Sequence, residues 1–466
     1  MLRYLHYAKN YLMTRPKKIV INIVGTTGVG KSQFSIELAK AINGEIINAD
    51  SMQVYKRVPI ITNKHPIEER DGVPHHVMDH VDWNEEYFIH RYSDEAHAAI
   101  ERIQARSKIP IIIGGTHYYL QTLLFKNKTV GEMEKTYGKK EPTPEQLRVL
   151  DGPVDKLFAA LAVADPLIST KFHPKDQRKL RRALEIYYTT GQRPSDMYQE
   201  QKLDEFKDSS LKYNTLFFWL YCDPDTLRDR LDRRVDSMMA SGALEEIKEM
   251  NTVYQGSYPK PDITTGLWQV IGFKQFLPWL EGGQKDARLF EEGVNRMKIR
   301  TRQYAKYQVK WIKKLLRVEL HKEARFNYKY GGKLYILDAT DLSNWKDSVF
   351  SRGLSIACEF VEKGPVHVEQ EQAPANLVSL LPSSDFFEKF SSNKTILALS
   401  NWKHYECPVC TDSEGKPLVA VGEQCWNTHQ NSRRHKKKLQ CKEKRKRNEE
   451  YIMEHKKSKD AKPTSA

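Results

Sequence analysis

Cysteine is scarce in this chain, six in 466 residues. That is too few for a disulfide scaffold, and a reducing compartment is expected. No apolar stretch reaches the roughly 20 residues of a membrane span, so no membrane partner is expected. Acidic residues are missing before Glu37. In that acid-free start Arg3, Lys9, Arg15, Lys17 and Lys18 interleave with Leu2, Tyr4, Leu5, Leu12 and Met13. Residues 1–16 fit either a mitochondrial presequence or a plain basic arm, with Met13 available as a second start. No internal repeat is visible. What dominates is positive charge: 75 Lys and Arg against 60 Asp and Glu, a net +15 that favours a polyanionic partner such as nucleic acid. The length allows two or three domains with a substantial core.

The segment Gly25-Thr26-Thr27-Gly28-Val29-Gly30-Lys31-Ser32 lies between an apolar run, Ile19 to Val24, and a helix-patterned run, Gln33 to Ile42. Strand, glycine-rich turn and helix in this order make a phosphate cradle. The glycines let backbone N–H groups curl around oxygens, and the helix begins with unpaired amides facing the anion. Lys31 adds a point charge on the outer phosphate, and Ser32 offers a hydroxyl to magnesium. A nucleoside triphosphatase would also supply a strand ending in Asp or Glu. The best candidate strand, Ile109 to Ile113, runs instead into Gly114-Gly115-Thr116. The nearest suitable carboxylate is Asp50, which follows the short run Glu45 to Ala49 and opens Asp50-Ser51-Met52-Gln53-Val54-Tyr55-Lys56. That places it at the carboxyl edge of an expected parallel sheet, where α/β proteins bind ligands.

Further segments follow in order: Gly114-Gly115-Thr116-His117-Tyr118-Tyr119-Leu120, Asp165-Pro166 with His173-Pro174-Lys175-Asp176, and Arg182-Ala183-Leu184-Glu185. Next come Arg234-Val235-Asp236-Ser237-Met238, Gly266 to Phe273 with Lys274, and Thr301-Arg302-Gln303-Tyr304-Ala305-Lys306. This ordered set, over roughly residues 18–345, resembles the tRNA isopentenyltransferases, also called tRNA dimethylallyltransferases. The C-terminal finger described below resembles the eukaryotic branch of that family.

The resemblance implies transfer of a dimethylallyl group from dimethylallyl diphosphate to N6 of the adenine immediately 3′ of the anticodon, tRNA position 37. The exocyclic amine is a poor nucleophile, so a positioned carboxylate is useful, and Asp50 is the candidate base. Ser51, Met52 and Gln53 are expected beside the adenine, which must be turned out of its stack. Thr27, the cradle from Gly25 to Ser32, Arg234 and magnesium at Ser32 are expected to hold the leaving diphosphate. For Arg234 the competing reading is an intrahelical ion pair, since it ends the charged run Arg228 to Arg234.

The expected organisation is a P-loop α/β core over residues 17–125, a connector and helical insertion over 126–213, and a core continuation over 214–345. By resemblance, the insertion forms the far wall of a tRNA cleft. Two basic helices are candidate RNA surfaces. In one, Leu180, Leu184 and Tyr187 are expected inside while Arg178, Arg181 and Arg182 face out. In the other, Tyr304, Tyr307, Trp311 and Leu315 form a stripe read as packing. Residues 346–400, rich in Pro, Glu and Ser towards their end, are read as a linker.

Within residues 401–440 Cys407, Cys410, His429 and His435 give C-x2-C-x18-H-x5-H, two thiolates and two imidazoles suited to tetrahedral zinc in a small C2H2-type finger. Cys425 is read as a core thiol. The basic tail over 441–466 suits an RNA grip or a nuclear import signal. A monomer is expected, cytoplasmic with mitochondrial and nuclear pools. A P-loop small-molecule kinase or NTPase, or a non-catalytic RNA-binding protein, are the alternative functions.

Overall fold

The computed structural model describes residues 19–126, 140–204, 208–381 and 402–460. The N-terminal arm with Met13, much of the connector, the end of the linker and the last six residues of the tail lie outside the described residues. The strands are β1 Ile19–Gly25, β2 Gly44–Asn48, β3 His75–His76, β4 Ile109–Ile113, β5 Asn214–Tyr221, β6 Gly331–Asp338, β7 His404–Thr411 and β8 Pro417–Val421. The helices needed below are α1 Lys31–Ile42, α2 Ile89–Ala105, α3 His117–Leu124, α4 Val154–Ala164, α5 Gln177–Thr190 and α6 Pro224–Ala240. They continue with α7 Ala243–Gly256, α8 Phe273–Glu281, α9 Ala287–Trp311, α10 Arg352–Lys363, α11 Glu423–Gln430 and α12 Arg433–Asp460.

Contacts divide the chain into two units, Met1–Lys128 with Glu205–Phe387, and Thr129–Asp204 with Glu388–Ala466. In the first, six strands pair in the order β3-β2-β4-β1-β5-β6, with every pair parallel. β1 is apolar apart from the buried Asn22 because both its faces are covered. Ile19, Ile21 and Ile23 join one core with Phe34 of α1 and Ile356 and Phe360 of α10. Val20 and Val24 join the other with Tyr92 and Ile100 of α2 and Leu120 and Leu123 of α3. A third core gathers Val54 and Ile61 with Ile247, Phe273, Phe276 and Met297 from α7, α8 and α9. The helical run expected from Asp225 to Met250 is two helices, parted at Ser241 and Gly242, where Gly242 adopts φ +105°.

The expected linker is corrected at its start. Residues 346–363 are helical, through a π-turn at Lys346–Ser351 into α10, and Val349, Gly353, Ile356 and Phe360 are buried. Their three-to-four spacing is that of an amphipathic helix, which the later Pro and Glu residues obscured. Beyond α10 the chain lies beside β6, where Ile336 N–H donates to Gln372 O at 2.7 Å and Leu377 is buried.

In the second unit Leu157 and Leu161 of α4 pack with Leu180, Ala183 and Leu184 of α5. The antiparallel hairpin β7–β8 belongs to the same unit. It docks on the insertion: Lys175 Nζ reaches Asp412 at 2.7 Å and Glu414 at 2.8 Å, and His404 Nε2 meets Phe172 O at 2.8 Å. The finger is therefore not an isolated module. Nor does it end at residue 440, since α12 runs unbroken through Asp460.

Candidate active site

The carboxyl ends of β1, β2 and β4 surround a cavity of about 290 Å³. The turn after β1 forms one wall. Gly28 and Gly30 take φ +76° and +98°, which a side chain resists, and a Cβ on Gly30 would lie 2.6 Å from the Trp345 ring. Thr27, Gly28, Gly30, Lys31 and Ser32 line the cavity. Gly25 and Thr26 serve it indirectly, their carbonyls accepting from Lys31 Nζ at 3.1 and 2.7 Å, while Val29 packs into the core. Burial lowers the Lys31 pKa to about 8, against the pull of Asp50 and with the repulsion of Arg234.

Asp50, two residues beyond β2, lines the same cavity and interacts with the Lys31 charge. Asn48 fixes its backbone: Asp50 N–H donates to Asn48 Oδ1 at 2.9 Å, and Asn48 Nδ2 donates to Asp50 O at 3.0 Å. The Asp50 carboxylate accepts from Met52 N–H at 2.9 Å. Burial raises its pKa above the ordinary value, opposed by that N–H and by the Lys31 charge. Gln53 shares the cavity, its Nε2 donating to Thr62 O at 3.2 Å and Asn63 O at 2.8 Å. Ser51 and Met52 are set back from the lining. Ser51 is tied to Thr116, whose Oγ1 accepts from its N–H at 2.9 Å, and Met52 packs against the third core.

Arg234, from α6, lines the same cavity, and burial lowers its pKa. The ion pairs belong to its neighbours: Arg228 pairs with Asp225 and Asp229 at 3.3 Å, and Arg302 takes Asp232 at 2.5 Å. Among the described residues Arg234 has no carboxylate partner, so its charge faces the cavity.

Several lining residues escaped the sequence reading. Gln308, 1% exposed, accepts from Thr27 N–H at 2.8 Å, and Tyr304 OH donates to Gly115 O at 3.3 Å. α9 thus forms a floor under the cradle, 281 positions away in sequence. The glycines after β4 make room for this. A Cβ on Gly114 would lie 2.2 Å from Ala49 O, and one on Gly115 2.1 Å from Gln308 Nε2. Lys64, almost fully buried, donates to Tyr55 O at 2.5 Å, Arg57 O at 2.6 Å and Asp79 at 2.5 Å, bracing the loop that carries Gln53.

Both helical stripes need correction. On α5 the buried positions are Leu180, Ala183, Leu184 and Ile186, with Tyr187 only half-buried. Arg178 is exposed, while Arg181 and Arg182 are held by Asp151 and Glu185, each at 3.0 Å. On α9 and the turn beyond it, Gln308, Trp311, Ile312 and Leu316 go inside, and Tyr307 and Leu315 are exposed.

In the second unit Cys407, Cys410, His429 and His435 bring their ligand atoms within 4.8 Å of one another. Both cysteines and His435 are buried, and His429 Nε2 is buried without a hydrogen-bond partner among the described residues. Cys425 is exposed, not in the core, because it lies on the outer face of α11.

Residues 53–315 match the sequence profile of the IPP transferases. The chain belongs to the IPP transferase family. It is 48% identical to the tRNA dimethylallyltransferase of Saccharomyces cerevisiae, over 91% of this chain and 92% of that protein. It is 36% identical to the Schizosaccharomyces pombe enzyme of the same name, over 91% and 95%, and 32% identical to the human one, over 90% and 85%. A solved structure of a eukaryotic dimethylallyltransferase acting on tRNA superposes with a TM-score of 0.78 at 47% identity, covering 93% of this chain and 99% of that one.

Proposed function

We propose that this chain transfers the dimethylallyl group of dimethylallyl diphosphate to N6 of the adenine immediately 3′ of the anticodon of tRNA, giving N6-isopentenyladenosine at position 37. The observation that carries it is one cavity that gathers complementary chemistry: Lys31, Arg234 and the cradle residues together with the Asp50 carboxylate and Gln53. The similarity to enzymes named for this reaction supports it.

The cationic wall suits a diphosphate that gains negative charge as the allylic carbon–oxygen bond breaks. Thr27, with its N–H held by Gln308, lines the cavity and would offer its hydroxyl to that anion. As N6 bonds to the freed allylic carbon, its proton passes to Asp50, whose raised pKa makes it a better acceptor than an ordinary carboxylate. Gln53 has its amide nitrogen engaged, so it offers the substrate only its carbonyl oxygen, an acceptor for the second N6 hydrogen. Ser32, at the cavity wall, fits one position of a magnesium ion, which would neutralise diphosphate charge.

The four clustered thiol and imidazole groups fit a structural zinc. The unpartnered His429 nitrogen would be a ligand atom.

The test is incubation of the full chain with bulk tRNA and dimethylallyl diphosphate, followed by nucleoside mass spectrometry. A five-carbon gain on the adenosine next to the anticodon is expected. Unmodified tRNA, with ATP hydrolysed in the absence of RNA, would replace this reading by the nucleotide-hydrolase alternative.

A further inference from the structure

Two exposed tyrosines stand in the chain beside residues that line the cavity. Tyr304 of α9 reaches Gly115 O at 3.3 Å, and Trp311 stacks on His117 at 4.1 Å with rings 2° from parallel. Tyr307 follows Tyr304 by three residues and precedes Trp311 by four, a spacing that by itself would put it on their face of α9. Its position predicts burial, yet Tyr307 is 63% exposed. Tyr118, next in the chain to His117, is 74% exposed. Neither ring takes part in a hydrogen bond or ring contact among the described residues. Gly115 and Gln308 line the cavity; Tyr118 lies three residues beyond Gly115 and Tyr307 directly precedes Gln308, so both exposed tyrosines are close in the chain to its lining.

A single exposed tyrosine is ordinary. Two next to the lining of one cavity, with exposed Lys306 and Lys310 beside Tyr307 on α9, combine flat apolar rings with positive charge. That combination is complementary to single-stranded nucleic acid, whose bases stack on aromatic rings while its phosphates meet cations. Extracting an adenine from its stack exposes the faces of the bases on either side.

We propose that Tyr118 and Tyr307 are a stacking rim for the anticodon-loop bases flanking the extracted adenine, with Lys306 and Lys310 neutralising adjoining phosphates. The proposal rests on the tRNA reading above. It assigns the two rings to RNA binding and not to the chemical step.

The experiment compares Tyr118→Ala, Tyr307→Ala and the matching Phe variants in the full chain. It measures tRNA affinity, dimethylallyl diphosphate affinity, single-turnover rate at saturating tRNA and melting temperature. Each Ala variant should weaken tRNA binding on the order of tenfold, as loss of one stacked base predicts. The Phe variants should stay within about twofold, and the other three measurements should not move. Wild-type tRNA affinity in both Ala variants overturns the rim. So does a Phe variant as weak as its Ala counterpart, which would mean that the hydroxyl acts and not the ring. Loss of diphosphate affinity alongside tRNA affinity would show a damaged cavity and also overturn it. Wild-type protein that fails to bind tRNA at all overturns the functional reading itself, and the rim with it.

Discussion

Replacing Asp50 by Asn separates proton transfer from substrate binding, because the structure gives the carboxylate one packing role that an amide retains. The Asn carbonyl oxygen still accepts the Met52 N–H, and Asn48 still holds the backbone at position 50. The side-chain volume is unchanged, so the fold and both binding walls should persist. What is lost is the proton acceptor, and transfer should slow by about 100-fold to 10,000-fold. The change also removes an anion close to Lys31. Asp50 props up the Lys31 pKa against burial, so the Asn variant should lower it below its present value of about 8. Near pH 7 diphosphate binding should therefore hold, since repulsion by Asp50 has also gone. Above pH 8 the variant should lose diphosphate affinity earlier than wild type does. The assay is single-turnover transfer at saturating tRNA, with diphosphate affinity titrated separately from pH 6 to 9. A wild-type rate in the Asn variant would refute the base assignment. A collapse of both affinities at pH 7 would make Asp50 a structural residue.

Arg234→Ala should lower the transfer rate on the order of 100-fold, by removing positive charge where diphosphate charge grows, and leave the melting temperature near wild type, because Arg234 has no carboxylate partner among the described residues. An early melt with normal turnover would instead assign it to the helix. Glu45 makes a pH prediction for stability. Burial favours its neutral form, but hydrogen bonds from Lys108 and His76 and the charges of Lys108 and Arg106 outweigh that and hold its pKa at about 2. Its stabilisation, on the order of 3 kcal/mol, is complete above the unfolded pKa near 4.5 and lost as pH falls through about 2; Glu45→Gln should remove that acid-limb slope in denaturant melts, and an unchanged slope would refute it. Cys407→Ser should release zinc and, because Lys175 and Phe172 hold the hairpin, raise hydrogen exchange around residues 172–176 as well as in β7 and β8. Exchange confined to the hairpin would show that the docking contributes no stability.

The cradle, the strand-end position of Asp50 and the four finger ligands were legible because each depends on short-range pattern: strand, glycine turn, helix start, or thiol and imidazole spacing; Arg234 was singled out only by the family resemblance, since its local pattern favours an ion pair. Gln308 was not, because its role comes from tertiary approach. Nothing around position 308 signals that its side chain will satisfy the Thr27 N–H, and a periodicity count favours the aromatic Tyr307 for the inner face. The structure reverses that choice. At that point of α9 the neighbour is the polar cradle and the glycine turn after β4, so an amide with hydrogen-bonding capacity fits and a ring does not. Helical periodicity reports which side of a helix meets protein, but it cannot report that the protein met is polar. The same limit applies at α10, where the period was present but composition beyond residue 362 concealed it.

These two failures lead to one argument about the site. A cradle that held its phosphate by backbone alone would need no side chain beneath it. This one takes a buried amide from a helix that also carries Tyr304 against Gly115 and Trp311 against His117. The outward side of the same helix carries exposed Lys306, Tyr307 and Lys310. A shift of α9 on binding at the outer face would therefore bear on the hydrogen bond between Thr27 N–H and the Gln308 carbonyl. If RNA docks on that face as proposed above, RNA docking and diphosphate geometry would share one helix. Gln308→Leu breaks the link without altering the outer face: tRNA affinity of the free protein should be unchanged, while any gain in diphosphate affinity that tRNA confers on the wild type should disappear. If tRNA improves diphosphate binding equally in both proteins, the coupling runs through another element and α9 is only a floor.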